Sequence, residues 1–204
     1  MEKDFDEDDF KSLLFYLGLL TIYKPDLGDV ILTVPNNVIR ELYFDFFGKK
    51  ISEEIKYELH TSEIRKAMKN IAQKGDNRKL IEIVEKTLNK LSNRDYIQFS
   101  EKYVKLIFLT YCFLSKLYLV KSEYEDENGF IDIALLKQVN INPMYLGIFE
   151  LKYINKKDYI EYGKTHVAEK QLKQYETSEE LRNINNLKKW AVIFAGDKGV
   201  CIFL

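Results

Sequence analysis

The sequence predicts an α+β protein, a helical first half around one small hairpin followed by a mixed sheet. Three observations predict it. In the first half, apolar residues recur at helical spacing, as in Leu80, Ile81, Val84, Leu88 and Leu91. From Leu119 the pattern changes to β-rich runs: YLVKSEY, GFIDIALL, MYLGIFELKY, KWAVIFAG and GVCIFL. Three of these runs follow one another, a helix over roughly Tyr162 to Thr177 interrupts, and two more close the chain; that order makes a mixed sheet.

Asp9 to Leu20 has the apolar spacing of a helix, with Gly18 near its end. Thr21 to Tyr23 and Val30 to Val34 are strand-like and flank Pro25 to Asp29, a turn-rich connector, so they read as a hairpin. Pro35-Asn36-Asn37 supplies an asparagine cap for the helix VIRELYFDFF. Helix, hairpin, helix is the outline of a winged-helix-like unit. Its second helix is too aromatic and too poor in basic residues to read a major groove. Ser52 to Asn93 holds three expected helices, started by Ser52, by Thr61-Ser62-Glu63 and by Asp76, with Gly75 suited to end the second. Asp95 to Tyr118 is a longer apolar helix and therefore central. The polar stretch LSNRD sets the expected domain boundary, with 1–94 as the helical subdomain and 95–204 as the sheet domain. Asp197-Lys198-Gly199 is the expected turn between the last two strands.

Composition narrows the function. With 31 Lys and Arg against 32 Asp and Glu the net charge is −1, which argues against a protein that coats nucleic acid along its whole surface. The charge is uneven, however. The first ten residues are acidic, whereas lysines dominate Leu151 to Trp190. Any polyanion contact belongs to that C-terminal half, unless the lysines only form a solvated face. Cys112 and Cys201 sit in apolar runs and read as buried thiols of a reducing, cytoplasmic compartment. Two histidines cannot build a histidine-rich metal centre. No signal peptide is expected from so acidic a start, and Leu106 to Ser115 is too short to span a bilayer, so no membrane partner is expected.

One constellation carries chemistry: Gly129-Phe-Ile-Asp132, then Glu150-Leu-Lys152 eighteen residues after the aspartate. Side chains two apart on a strand share a face, so Glu150 and Lys152 point the same way. Two carboxylates and a lysine on neighbouring strands suit metal-dependent phosphodiester hydrolysis. The carboxylates would hold Mg²⁺ or Mn²⁺, and the ammonium would offset phosphate charge or handle a water. Asp132 and Glu150 both lie among apolar residues, where an unpartnered carboxylate is costly. A buried ion pair of Glu150 with a nearby lysine, or strand-end residues reaching solvent, is the alternative.

These motifs carry a resemblance. Residues 118–203 resemble a nuclease domain of the PD-(D/E)XK superfamily, the restriction-endonuclease-like fold, of the RecB-like type. They are most similar to the C-terminal domain of AAA-ATPase-like proteins. YLVKSE with G-x-x-D gives the first hairpin, IFELK gives the D/E-x-K element, and Gln171-x-x-x-Tyr175 and the strand AVIFAG follow. FYLGLLTI and LTVPNNVIRELYFDFF also look like the segment joining ATPase and nuclease in such proteins. The resemblance implies a restriction-endonuclease-like core. It implies Asp132, Glu150 and the Leu151 carbonyl as metal ligands, and Lys152 on the attacking water or the phosphate. A further acid is implied from the preceding helix, Glu101 with Glu123 as rival. Gln171 and Tyr175, four apart on one helix face, would reach the site or the substrate backbone; otherwise Tyr175 is a core aromatic and Gln171 a solvated residue.

Two positions depart from the family pattern. Phe130 stands where an arginine often precedes the aspartate, and Val104 follows Tyr103 where an aromatic-histidine pair is usual. Both bear on substrate engagement and leave metal ligation untouched. Gly163-Lys164-Thr165 is not a nucleotide loop, because Asp158 occupies the place of the first glycine. An AAA-type ATPase domain would therefore be a partner absent from this chain. Two function classes stay open: a Mg²⁺- or Mn²⁺-dependent nuclease, acting on DNA ahead of RNA, and a catalytically inactive module of the same fold that binds protein or nucleic acid.

Overall fold

The computed structural model describes residues 6–55, 61–92, 100–154, 170, 173–175, 178–195 and 198–203. The chain divides into two compact units, residues 1–46 and 47–204.

In the first unit, helix α1 spans Glu7–Tyr16. Asp6 opens it: its carboxylate accepts the N–H groups of Asp8 and Asp9 at 2.9 Å, while the Asp9 side chain accepts the N–H of Asp6. The expected helix ran on to Leu20, but Leu17 caps it and Gly18 turns to φ +71°. Strands β1 (Thr21–Asp26) and β2 (Asp29–Thr33) form the expected hairpin. Its turn is tighter than Pro25 to Asp29, since Leu27 and Gly28, both at positive φ, make a two-residue connection. The Asn36 side chain accepts the N–H of Ile39 at 3.0 Å and starts α2, Asn37–Ile55. Helix, hairpin and helix follow in the expected order.

Helix α2 continues through Ser52, so no separate helix begins there. Gly48 lies inside it. A Cβ on that glycine would come within 3.2 Å of Leu114 Cδ1, so the bare backbone serves a close approach.

In the second unit come α3 (Thr61–Lys74), α4 (Arg78–Ser92) and α5 (Glu101–Ser115), which pack on one another. Their buried faces follow the helical period: Ile64, Met68 and Ile71 on α3, and Leu80, Val84, Leu88 and Leu91 on α4. Gly75, at φ +65°, ends α3 as expected. Asp76 accepts the N–H of Arg78 at 3.1 Å at the start of α4. Helix α5 is shorter than the expected Asp95 to Tyr118. Ser100 is extended and caps it by accepting the N–H of Tyr103, and Lys116 takes the left-handed conformation at its end. Residues 93–99, and with them the expected boundary at 94–95, lie outside the described residues.

Among the described residues the sheet has five strands in chain order: β3 (Leu119–Asp126), β4 (Gly129–Leu136), β5 (Leu146–Ile154), β6 (Leu187–Ala195) and β7 (Lys198–Phe203). Neighbours are antiparallel except β5 and β6, which are parallel. The sheet is therefore mixed, as the sequence predicts. Helix α5 packs on it through Phe108, edge-on to Phe149 at 4.9 Å, and Phe149 stacks on Trp190 at 4.6 Å. A second apolar cluster gathers Ile131, Ala134, Ile148, Tyr175, Leu181 and Ala191. Most of the expected helix over 162–177, Gly163 to Thr165 and the start of the last turn lie outside the described residues. No helix among the described residues is long and apolar enough to cross a membrane.

Candidate active site

The site lies where three strands lose their regular pairing. The ladder between β4 and β5 runs Leu135↔Gly147, Ala134↔Ile148, Ile133↔Phe149 and then stops. One further step in that register puts Asp132 across from Glu150, so their side chains leave the sheet on the same side. On the other edge, Ser122↔Ile133 and Tyr124↔Ile131 are paired, and Glu123 and Asp132 between them are not. Glu123 has φ +50°, a left-handed conformation that costs a non-glycine residue about 1–2 kcal/mol. With the ladder interrupted, a side chain takes over: Asp132 Oδ2 accepts the N–H of Leu151 at 2.8 Å.

Helix α5 brings the remaining groups. Glu101, Lys105 and Phe108 recur at helical spacing on one face. Phe108 anchors that face over Phe149, and the N-terminal turns present the other two. Lys105 Nζ donates to Asp132 Oδ1 at 2.7 Å and also to Glu123 Oε1. Lys152 Nζ lies 3.4 Å from Glu150 Oε1 and 3.7 Å from Glu101 Oε1. Glu101 Oε2 accepts the N–H of Tyr153 at 3.3 Å. Two ion-pair chains result, Glu123–Lys105–Asp132 and Glu101–Lys152–Glu150, in which four carboxylates meet two ammoniums.

Electrostatics set these groups apart. Glu150 is 2% exposed, and its Oε2 has no hydrogen-bond partner among the described residues. Its pKa is raised to about 7, first by burial and then by the Asp132 charge, with Lys152 and Lys105 offsetting part of the shift. Burial alone would lower the pKa of Lys152, but the negative charges of Glu150, Glu101 and Asp132 prevail and raise it. Lys105 follows the same logic through its bonds to Asp132 and Glu123.

The structure brings together Asp132, Glu150, Lys152 and Glu101. Glu123, the rival to Glu101, joins through the other chain, so both acids are at the site. Leu151 is buried, and its N–H donates to Asp132. Tyr175 is buried in the second apolar cluster, and its hydroxyl donates to the Phe130 carbonyl at 2.9 Å. Burial raises its pKa, and the charges of Glu150 and Asp132 add to the rise, so it lies close to the site while its proton is engaged elsewhere. Gln171 falls outside the described residues. Phe130, in the place of the usual arginine, is 59% exposed. Lys105 is the residue that the sequence reading missed. Its one signal was the i,i+4 spacing from Glu101 on the helix entering the sheet.

The donor set fits a hard divalent cation. Asp132 and Glu150 offer carboxylate oxygens from adjacent strands, and Glu150 Oε2 is a buried acceptor with no donor among the described residues. No cluster of three or more His, Cys, Asp or Glu that could hold a metal occurs among the described residues.

No curated protein and no solved structure matches the chain. A family model described as the PD-(D/E)XK nuclease superfamily matches residues 99–203, a span that takes in α5, all five strands of the sheet and every carboxylate and lysine of the site. With more than half its length matched and the aspartate and glutamate-x-lysine elements meeting where the strands part, the chain belongs to the PD-(D/E)XK nuclease superfamily.

Proposed function

We propose that the chain is a Mg²⁺- or Mn²⁺-dependent nuclease that hydrolyses phosphodiester bonds, in DNA ahead of RNA. The observation that carries this reading is Glu150: a buried carboxylate, one oxygen unpartnered among the described residues, across from Asp132 and beside Lys152. Isolated, that arrangement is unfavourable; as half of a cation site it is complete. Asp132 and Glu150 would hold the ion, with the Leu151 carbonyl as the further ligand. When bound, the ion would supply Lewis acidity toward the phosphate oxygens and lower the pKa of a water. Lys152, held between Glu150 and Glu101, would orient that water or stabilise charge on the phosphate. The N–H of Leu151 fixes the Asp132 rotamer. Tyr175 would brace β4 through Phe130, and Gln171 is kept as a substrate-backbone contact. We assign the activity to residues 95–204, with 1–94 as the helical, winged-helix-like part. The likeness of the N-terminal segment supports an AAA-type ATPase as partner.

The test is cleavage of plasmid and oligonucleotide substrates, single- and double-stranded DNA and RNA, with Mg²⁺ or Mn²⁺, alongside calorimetric titration of Mn²⁺. Wild type is expected to bind and cut, and Glu150→Ala to lose both. The second reading, an inactive binding module, is favoured by Phe130 in the arginine position. It takes over if wild type binds no Mn²⁺ and cuts none of the substrates.

A further inference from the structure

Lys105 has no part in the chemistry just proposed, yet its ammonium is bonded directly to Asp132. Its side chain is 14% exposed, and its ammonium touches Asp132 Oδ1 at 2.7 Å together with Glu123 Oε1. Asp132 Oδ2 is engaged by the N–H of Leu151 at 2.8 Å. Both oxygens of the aspartate are thus already served by donors, one of them a full positive charge. A divalent ion needs the same carboxylate. Two cations on one carboxylate repel strongly where water is largely excluded. Glu123 offers a way out, because its side chain is 62% exposed and already bonded to the same ammonium. It sits at the strand position where the ladder with β4 is broken and the backbone is left-handed.

We propose that Lys105 is a built-in counter-cation, which holds the Asp132 carboxylate when no metal is present and cedes it, remaining on Glu123, when a divalent ion binds. The proposal rests on the reading of Asp132 and Glu150 as metal ligands. Its consequence is a site that stays assembled without metal but fills only at higher ion concentration than its carboxylates alone would need. Lys105 is then a positioning residue, distinct from Lys152, whose partners Glu150 and Glu101 lie on the other ion-pair chain.

The experiment compares wild type, Lys105→Gln and Lys105→Arg by Mn²⁺ titration calorimetry and by thermal melting in EDTA and in Mn²⁺. Lys105→Gln is expected to melt lower than wild type in EDTA, because Asp132 and Glu123 lose their counter-charge. It should bind Mn²⁺ about tenfold tighter or more, and gain more Tm from the ion than wild type does. Lys105→Arg, which keeps the charge, should stay near wild type in affinity. Should Lys105→Gln be unfolded in EDTA, recovery of a cooperative melt in Mn²⁺ supports the proposal and failure to recover overturns it. Wild type that binds Mn²⁺ while Lys105→Gln binds it no tighter overturns the proposal and leaves the nuclease reading standing. If neither binds, the metal-site reading falls and takes the proposal with it. If only Lys105→Gln binds, Lys105 does not cede Asp132 to the ion, and the proposal is overturned.

Discussion

Glu150 holds its charge in an unfavourable place, and that has a measurable cost. Its pKa rises from 4.5 to about 7 because it is buried and faces Asp132 on β4; Lys152 on β5 and Lys105 on α5 compensate only in part. Between those values the folded chain keeps a proton that the unfolded chain has released. The metal-free protein therefore loses stability as pH rises from about 4.5 through about 7, by an amount on the order of 3 kcal/mol. In EDTA, wild type should melt progressively lower from pH 5 to pH 8, while Glu150→Gln should give a flatter curve and the higher Tm at pH 8. Mn²⁺ should remove the wild-type decline, because the ion favours the ionised carboxylate. Parallel curves for wild type and Glu150→Gln would show that another group causes the pH dependence. Lys152 makes a different prediction. Its ammonium is not a ligand, so Lys152→Ala should leave Mn²⁺ binding in place and cut turnover by about 10²–10³-fold. Loss of Mn²⁺ binding in Lys152→Ala would mean that the lysine only holds Glu150 in position.

At the scale of the element, β5 does two jobs on alternate residues. Phe149 points into the stack between Phe108 and Trp190, while Glu150 and Lys152 are held at the site. Gly147 makes the stack possible: a methyl group there would run into the fully buried Trp190 ring. Gly147→Ala should destabilise the protein by about 1–3 kcal/mol through overpacking, read as a lower denaturation midpoint by tryptophan fluorescence. An unchanged midpoint would show that Trp190 has room to move. The strands themselves were legible because GFIDIALL and GIFELKY are short β-rich runs, and the charges inside them pointed to a site or to strand ends. The Glu150 and Lys152 pairing was legible because alternation is local. Lys105 was not, because its partners Glu123 and Asp132 stand 18 and 27 residues away, and only the packing of α5 on the sheet joins them. Some helix ends were illegible for a similar reason. Ser52 resembles a start signal, but α2 runs through it, and the missing Cβ of Gly48 that brings Leu114 close is visible only in the folded chain.

For the whole molecule, the candidate site falls within one of the two units. Every carboxylate and lysine of the site lies in the unit of residues 47–204, and so does the span matched by the family model, 99–203. The first unit has a different character. Helix α1 buries none of its residues, and Tyr16, Leu17 and Tyr23 are 85%, 62% and 69% exposed. Only α2 crosses from one unit to the other, and its Gly48 packs on Leu114 of α5, so α2 has to be kept whole. A chain starting at Asn37 should therefore unfold in a single cooperative transition and bind Mn²⁺ within about twofold of the full chain. It should also be less prone to self-association, because the exposed apolar residues of α1 and the hairpin are gone. Equilibrium denaturation, calorimetry and sedimentation on the two chains decide it. A shortened chain that melts without cooperativity, or binds Mn²⁺ more than about tenfold weaker, would show that α1 and the hairpin are part of what holds Asp132 and Glu150 together.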